Sequence, residues 1–206
     1  MFELSLFLKA AGVGVAIAAP VGPMSLLCMR TTLARGWRHG LAIGGGIALG
    51  DGAYAGVAAL GLAGVSRFML GYERPLHAAA GLFLIYLGLK AFRASRGADE
   101  AATIAPAGAW TRELATATLL TLTNPPTIVS FAAVFTVLSP PGGLTRSDAL
   151  ATVAGVFCGS ALWWGVVVAV VGGFRHALGE TIRTWIDRVA GAALALFGAF
   201  ELRRAI

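Results

Sequence analysis

The chain alternates between long apolar runs and short polar stretches. A helix that crosses a bilayer needs roughly 20 mainly apolar residues, and four runs meet this requirement with at most one charge each. They are residues 10–29, 41–66, 114–138 and 149–174. Two shorter runs, 76–89 and 189–200, can span if flanking polar side chains reach towards the lipid headgroups. The pattern therefore predicts an all-α membrane protein with six transmembrane helices.

The second half of this pattern repeats the first. Three glycines of the second span recur about 109 positions later in the fifth span: Gly46, Gly50 and Gly56 correspond to Gly155, Gly159 and Gly165. About 110 positions separate Gly81 and Gly88 in the third span from Gly191 and Gly198 in the sixth. Because each copy holds an odd number of spans, the second copy must lie inverted in the bilayer, as in many secondary transporters. The sequence predicts a single membrane domain, 1–206, with a 3+3 inverted repeat: repeat one 1–93, linker 94–112 and repeat two 113–206.

The distribution of basic residues predicts how the spans are oriented. Ten of the sixteen Lys and Arg residues fall in the first, third and fifth loops, among them Arg30, Arg35 and Arg38 in the first. The positive-inside rule places these loops in the cytoplasm and both termini outside.

Prolines interrupt the first span and its counterpart in the repeat, the fourth. Pro20, Gly22 and Pro23 lie inside the first apolar run, and Asn124, Pro125 and Pro126 inside the fourth. Proline lacks a backbone N–H and clashes with the preceding turn, and lipid cannot satisfy the polar groups that it leaves free. We therefore expect helices 1 and 4 to be broken at proline, either as packing kinks or, because the breaks are paired, around a transporter's midplane binding site.

Each break can present the positive end of a half-helix to an anion. A half-helix that begins at Pro23 or Pro126 directs free N–H groups and the positive end of its dipole away from itself, which suits a carboxylate. Ser25, Asn124 and Thr127 lie at the breaks. Their side chains either contact a bound molecule or cap the freed backbone groups.

One acidic residue, Asp51, lies well inside an apolar span. A carboxylate at that depth costs several kcal/mol unless it faces a cavity, is paired or is protonated, so Asp51 is our candidate for proton coupling. The alternative is a structural hydrogen bond to a neighbouring helix. Tyr54 lies one turn away on the same face, and the repeat places Ser160 where the first copy has Asp51. Trp163 and Trp164 follow Ser160 and either line a cavity, pack against other helices or lie at the membrane interface.

Composition narrows the class of protein further. A mean hydropathy of +0.79 and 13% charged residues exclude an ordinary soluble domain. The net charge of +6 does not indicate nucleic-acid binding, because the basic residues are scattered between apolar runs. Cys28 and Cys158 suggest neither a disulfide framework nor a metal site, so we predict no metal and no cofactor. Three histidines fall at span ends or in loops, where we expect a solvated or headgroup-level role and not a catalytic one: His39, His77 and His176.

The order of these motifs resembles the LysE/RhtB family of amino-acid exporters. The resemblance rests on PVGPMSLL at 20–27, on Asn124-Pro125 and on Arg30, Leu33, Gly36, Gly40, Gly44, Gly50, Asp51, Tyr54 and Gly61. It implies a multi-pass protein of the bacterial inner membrane that moves amino acids or related molecules outward, driven by the proton gradient. The family's usual Asn or Gln after Pro-Gly-Pro is replaced here by Met24-Ser25, so the resemblance selects no particular cargo.

Three functions are compatible with these features, and none of them is enzymatic. The first is a secondary exporter in which cargo docks at the breaks, Asp51 exchanges a proton and the two copies rock to give alternating access. The second is an intramembrane thiol-disulfide carrier, although Cys28 and Cys158 are not equivalent in the repeat. The third is a membrane scaffold or channel, which leaves Asp51 without a purpose. The expected partners are an amino acid or derivative, a proton and membrane lipid, and a homodimer remains open.

Overall fold

The computed structural model describes residues 2–20, 22–59, 73–94, 109–124, 127, 131, 145–174 and 180–205. Within these residues the chain is helical, and seven helices follow one another along it. They are α1 (Phe2–Ala18), α2 (Pro23–Arg35), α3 (Trp37–Ala59), α4 (Glu73–Ala94), α5 (Ala109–Leu122), α6 (Arg146–Phe174) and α7 (Glu180–Ala205). The expectation of an all-α protein is confirmed for this part of the chain.

Local sequence explains where several helices begin and end. Proline is favoured at the first position of a helix, because the N–H that it lacks has no partner there, and α2 begins at Pro23. Its last residue, Arg35, is followed by the C-cap residue Gly36, whose φ of 94° suits a residue without Cβ. The N-terminus of α6 is capped by Thr145, whose Oγ1 accepts a hydrogen bond from the Asp148 N–H at 3.2 Å and donates one to its carboxylate at 2.6 Å.

The helices α3 and α6 are each long and apolar enough to cross a membrane. Residues 4–18 of α1 and the whole of α2 together satisfy the same test as one span bent by 82°, which is the break expected in the first predicted span. The predicted spans 76–89 and 189–200 lie within α4 and α7. The fourth, 114–138, starts within α5 and then runs mostly over residues outside those described.

The helices extend beyond the apolar runs at two places. The first predicted loop is almost entirely helical: Arg30 and Arg35 belong to α2, Arg38 belongs to α3, and Gly36 alone separates the two helices. An apolar run ends where polar residues begin, but a helix can continue through them. At the predicted linker, 94–112, α4 continues to Ala94 and α5 begins at Ala109.

Close helix contacts hold the bundle together at glycines. A Cβ at Gly46 would lie 2.8 Å from the Ala117 Cβ, and one at Gly81 would lie 2.7 Å from the Gly198 carbonyl oxygen. Real Cβ atoms do not approach so closely, so α3 can pack on α5, and α4 on α7, only because glycine stands at these positions.

The packing directions of α3 follow from its contacts. Along α3 and α5 they progress from His39 with Glu113 to Tyr54 with Leu122, so the two helices run parallel. Along α3 and α6 they progress from Gly44 beside Trp164 to Gly56 beside residue 153, so these two run antiparallel. The helix α3 therefore lies between α5 and α6 and contacts both along its length.

The outer surface of the bundle is apolar. Large apolar side chains point outward from several helices, including Leu82 on α4, Leu162 on α6 and Leu196 on α7, each at least 60% exposed. A soluble monomer rarely exposes so much apolar surface, whereas lipid is its natural surrounding in a membrane.

Candidate functional site

Asp51 lies at the centre of the described bundle, where α3 crosses α6. It is 2% exposed, Ser160 is fully buried, and the Ser160 hydroxyl donates a hydrogen bond of 2.7 Å to the Asp51 carboxylate. The two residues are 109 positions apart, which is the spacing at which the glycines recur. The sequence analysis selected both residues, and the structure brings them together.

The helices that lead to the two breaks flank this pair. On one side, the backbone of Ser160 lies against Gly14, one turn before α1 ends at Ala18. On the other side, Thr121, the last residue but one of α5, has its side chain against Gly50 of α3. Asp51 and Ser160 therefore lie at the level of the last turns of α1 and α5.

Tyr54 connects α3 to the end of α5. Its hydroxyl donates a hydrogen bond of 2.5 Å to the carbonyl oxygen of Leu122, and its ring stacks on Phe131 with the centroids 5.5 Å apart. In an uninterrupted helix the Leu122 carbonyl would accept from the N–H of residue 126, but that residue is Pro126 and has none. Tyr54 therefore supplies the donor that the sequence of the break removes.

At the first break, Ser25 makes local contacts. Its hydroxyl, which is buried, donates to the carbonyl oxygen of Pro20 at 3.2 Å and lies 3.5 Å from the Gly22 N–H. Gly22 is the N-cap residue of α2 and has no side-chain acceptor to offer the N–H groups of the first turn. Polar backbone at the start of α2 thus lies beside the predicted binding residues Pro20, Gly22 and Pro23.

At the second break, Asn124 and Thr127 bond to each other. The Asn124 side-chain amide donates to the Thr127 hydroxyl at 3.0 Å, and the Thr127 N–H donates to the Asn124 carbonyl oxygen at 3.0 Å. Pro125 and Pro126 lie outside the described residues. Ser25, Asn124 and Thr127 thus cap backbone or pair locally, and their contact with cargo stays a prediction.

Trp164 is a buried residue that the sequence analysis left undecided between cavity and packing. It lies one turn after Ser160 on α6, is 2% exposed, and belongs to the same apolar cluster as Ala18 and Met24. None of the described residues accepts a hydrogen bond from its indole N–H. An unpaired buried donor is costly, so an acceptor at this position would stabilise the buried indole.

A second polar cluster was missed from the sequence. The Glu113 carboxylate on α5 pairs with the Arg35 guanidinium at the end of α2, and the second Glu113 oxygen lies 2.6 Å from Nδ1 of His39 on α3. The His39 side chain is 18% exposed, so the Glu113 carboxylate takes the place of much of the water expected around it. The signal available was weak: Glu113 flanks an apolar run, as many headgroup-level charges do.

Comparison with known proteins assigns the chain to a family. The family model "LysE type translocator" matches residues 15–204. At 22% identity over 201 residues, the chain is similar to the "Putative amino acid efflux protein YcgF" of Bacillus subtilis (strain 168); the match covers 96% of this chain and 95% of that protein. No solved structure matches the chain significantly.

The fold and the match define a class and a family. The chain is a multi-pass helical membrane protein of the transporter class. It belongs to the LysE type translocator family, as its motifs had suggested, and members of that family are transporters, not enzymes.

Proposed function

We propose that the protein is a secondary active exporter of amino acids or related small molecules in a bacterial inner membrane, coupled to protons and working by alternating access. The observation that carries this proposal is the pairing of Asp51 with Ser160 beside the ends of α1 and α5. A buried carboxyl group, two interrupted helices and a repeated framework are the parts that such a cycle requires.

Reciprocal packing supports the 3+3 inverted repeat. Gly46 on α3 lies against Leu114 and Ala117 of α5, and its counterpart Gly155 on α6 lies against Phe7 and Ala10 of α1. The same number of positions separates Phe7 from Leu114 as separates Ala10 from Ala117. The two copies thus use one packing solution twice.

The third and sixth predicted spans show the same reciprocity. Gly81 packs against Gly198, and Gly88 packs against Gly191. In the predicted repeat, Gly81 corresponds to Gly191 and Gly88 to Gly198. Replacing each glycine of the first contact by its counterpart therefore gives the second contact. Such an exchange is what a two-fold axis between inverted copies requires, and rocking of one copy on the other can then expose the centre to each side alternately.

Asp51 is the group that we assign to proton coupling. Its carboxylate has one described donor, the Ser160 hydroxyl, and no described Lys or Arg lies within ion-pairing distance of it. An unpaired carboxylate inside a membrane is costly when charged and cheaper when protonated, so a change in its surroundings during the cycle can load or release a proton.

The cargo site that we propose lies at the break between α1 and α2. The first turn of α2 carries no acidic residue, and its N-cap residue, Gly22, has no side chain to accept from the N–H groups of that turn, so these groups and the helix dipole suit the carboxylate of an amino acid. The indole N–H of Trp164, in the same buried cluster, offers a further donor. The predicted binding residues of the second break complete the site from the opposite copy: Asn124, Pro125, Pro126 and Thr127. Tyr54 and Ser160, the remaining predicted binding residues, lie between the two breaks in this proposal.

The competing functions fit the described residues less well. A thiol-disulfide carrier needs two cysteines that can meet, but Cys28 and Cys158 are both free, the first buried in α2 and the second exposed on α6. A scaffold or channel does not require the buried Asp51. Membrane lipid surrounds the outer surface in this proposal, and a homodimer is neither required nor excluded by it.

Counterflow in proteoliposomes tests the proposed function. The purified protein is reconstituted with an unlabelled amino acid inside, and uptake of the labelled form is followed for a panel of basic, neutral and sulfur-containing amino acids. We expect exchange of at least one member of the panel. Absence of exchange for all of them, with thiol oxidation carried across the membrane instead, would favour the carrier.

A further inference from the structure

Arg35, His39 and Glu113 form a polar cluster away from the proposed cargo site, and none of the three is a proposed cargo-binding residue. The Glu113 side chain is 12% exposed and its two oxygens have separate partners, Arg35 on one and His39 on the other. Hydrogen bonds between charged groups are stronger than neutral ones, and more so where water is scarce. We refer to these three residues as the latch.

The latch connects the two predicted copies. Arg35 and His39 belong to the first, at the end of α2 and the start of α3, and Glu113 belongs to the second, in the first turns of α5. From the latch, the contact between α3 and α5 continues through Gly46 to Tyr54 and Leu122. At 1.5 Å per residue, Asp51 lies about 18 Å along α3 from His39. The latch therefore lies at one end of the interface between α3 and α5, and the interface extends from there to the level of Asp51.

The latch has no ionic counterpart at the opposite end of the bundle. The repeat spacing places Asp148 where the first copy has His39, and the packing equivalence of α1 with α5 places Leu6 where α5 has Glu113. Leu6 cannot form an ion pair, and the Asp148 carboxylate accepts from Thr145 in its own helix cap. Among described residues, the two copies are therefore tied by this cluster at one end only.

We propose that the latch is the gate at the cytoplasmic end of the transport pathway, and that it must open for cargo to enter. This inference rests on the proposed function for its role in transport, and on the distribution of basic residues for its side. A cross-copy ion pair stabilises one of two arrangements and is absent from the other, so it biases which side is open. The described structure is the state closed at that end.

A native cysteine reports on the state of the gate. Cys28 is fully buried in α2, and its Sγ lies 3.7 Å from the carbonyl oxygen of Gly40, the neighbour of His39. In a Cys158→Ser background it is the only thiol of the chain. We expect a maleimide to label it on the order of tenfold faster in Glu113→Gln and Arg35→Gln, because each variant loses a charge-assisted pair.

Arg38→Gln is the matched control. It removes the same charge from the same end of the bundle, but Arg38 lies over the Trp37 ring and leaves the Glu113 pairs intact. Counterflow by the Gln variants shows that faster labelling is not caused by unfolding. Unchanged labelling of Cys28 in both Gln variants, with counterflow retained, would overturn the gate.

A cleavable cross-link tests the gate in the cycle itself. Cysteines replace Arg35 and Glu113 in a chain without Cys28 and Cys158, and a bifunctional methanethiosulfonate reagent joins them. We expect counterflow to stop on cross-linking and to return on reduction. Full counterflow in the cross-linked protein would refute the gate while leaving the exporter standing, whereas a wild type that exchanges no amino acid refutes the exporter whatever Cys28 reports.

Discussion

Asp51 and Ser160, which the predicted repeat makes counterparts, are joined by a hydrogen bond. They are 109 positions apart, as are the recurring glycines, and the Ser160 hydroxyl donates to the Asp51 carboxylate at 2.7 Å. In a two-fold arrangement, a residue can touch its own counterpart only on the axis. If the two copies are inverted repeats, the pair therefore marks the point about which they would rock, and the site is asymmetric there because one partner titrates and the other does not.

Removal of the Ser160 hydroxyl should destabilise the protein through Asp51. We expect Ser160→Ala to lower the free energy of unfolding by about 1–3 kcal/mol, because it leaves a buried carboxylate oxygen without its donor. Thermal unfolding in detergent measures this. In an Asp51→Asn background the same substitution should cost less, and equal costs in the two backgrounds would mean that the hydrogen bond contributes nothing.

Tyr54 should act on the end of α5 through its hydroxyl alone. Tyr54→Phe keeps the ring that stacks on Phe131 but leaves the Leu122 carbonyl without a donor, which costs about 1–3 kcal/mol. We expect lower thermal stability and slower counterflow. A Tyr54→Phe variant that unfolds at the wild-type temperature and keeps the wild-type rate of counterflow would show that the contact with Leu122 is unimportant.

Trp164 should affect cargo affinity more than stability. Trp164→Phe retains most of the buried ring and removes the N–H that no described residue accepts. Loss of one neutral hydrogen bond to cargo corresponds to about 0.5–1.5 kcal/mol, so we expect KM for counterflow to rise roughly two- to tenfold. Trp163→Phe, on the neighbouring residue, should leave KM unchanged. A Trp164→Phe variant with wild-type KM would remove the indole from the cargo site.

Two adjacent glycines of α3 should respond in opposite ways to alanine. A Cβ at Gly46 meets the Ala117 Cβ at 2.8 Å, whereas one at Gly45 meets nothing within 4 Å. We expect Gly46→Ala to cost about 1–3 kcal/mol through overpacking, and Gly45→Ala to be neutral or to stabilise by up to about 1 kcal/mol. Equal unfolding temperatures for the two variants would contradict the close packing of α3 on α5.

The features that could be predicted from sequence are those in which one residue conflicts with its surroundings. Prolines inside an apolar run indicated the break between α1 and α2, and an acidic residue inside another run indicated the buried Asp51. The recurring glycines marked positions of close contact, since no side chain fits there.

The contacts between distant helices could not be predicted in the same way. Nothing in the local sequence of Leu122 indicates that Tyr54 supplies its missing donor, because that contact depends on α3 and α5 running parallel. Glu113 escaped notice because a charge beside an apolar run is typical of headgroup-level residues. The sequence predicts a loop at Arg35, because the apolar run ends before it, whereas α2 continues to that residue.

The central claim is that Asp51 couples transport to protons, and the variant Asp51→Asn tests it most directly. In proteoliposomes with an imposed pH gradient, we expect this variant to lose gradient-driven export while it still exchanges labelled for unlabelled amino acid in counterflow. Asp148→Asn, which alters a carboxylate at the helix cap of α6, should keep both activities. Gradient-driven export at the wild-type rate in Asp51→Asn would contradict the account.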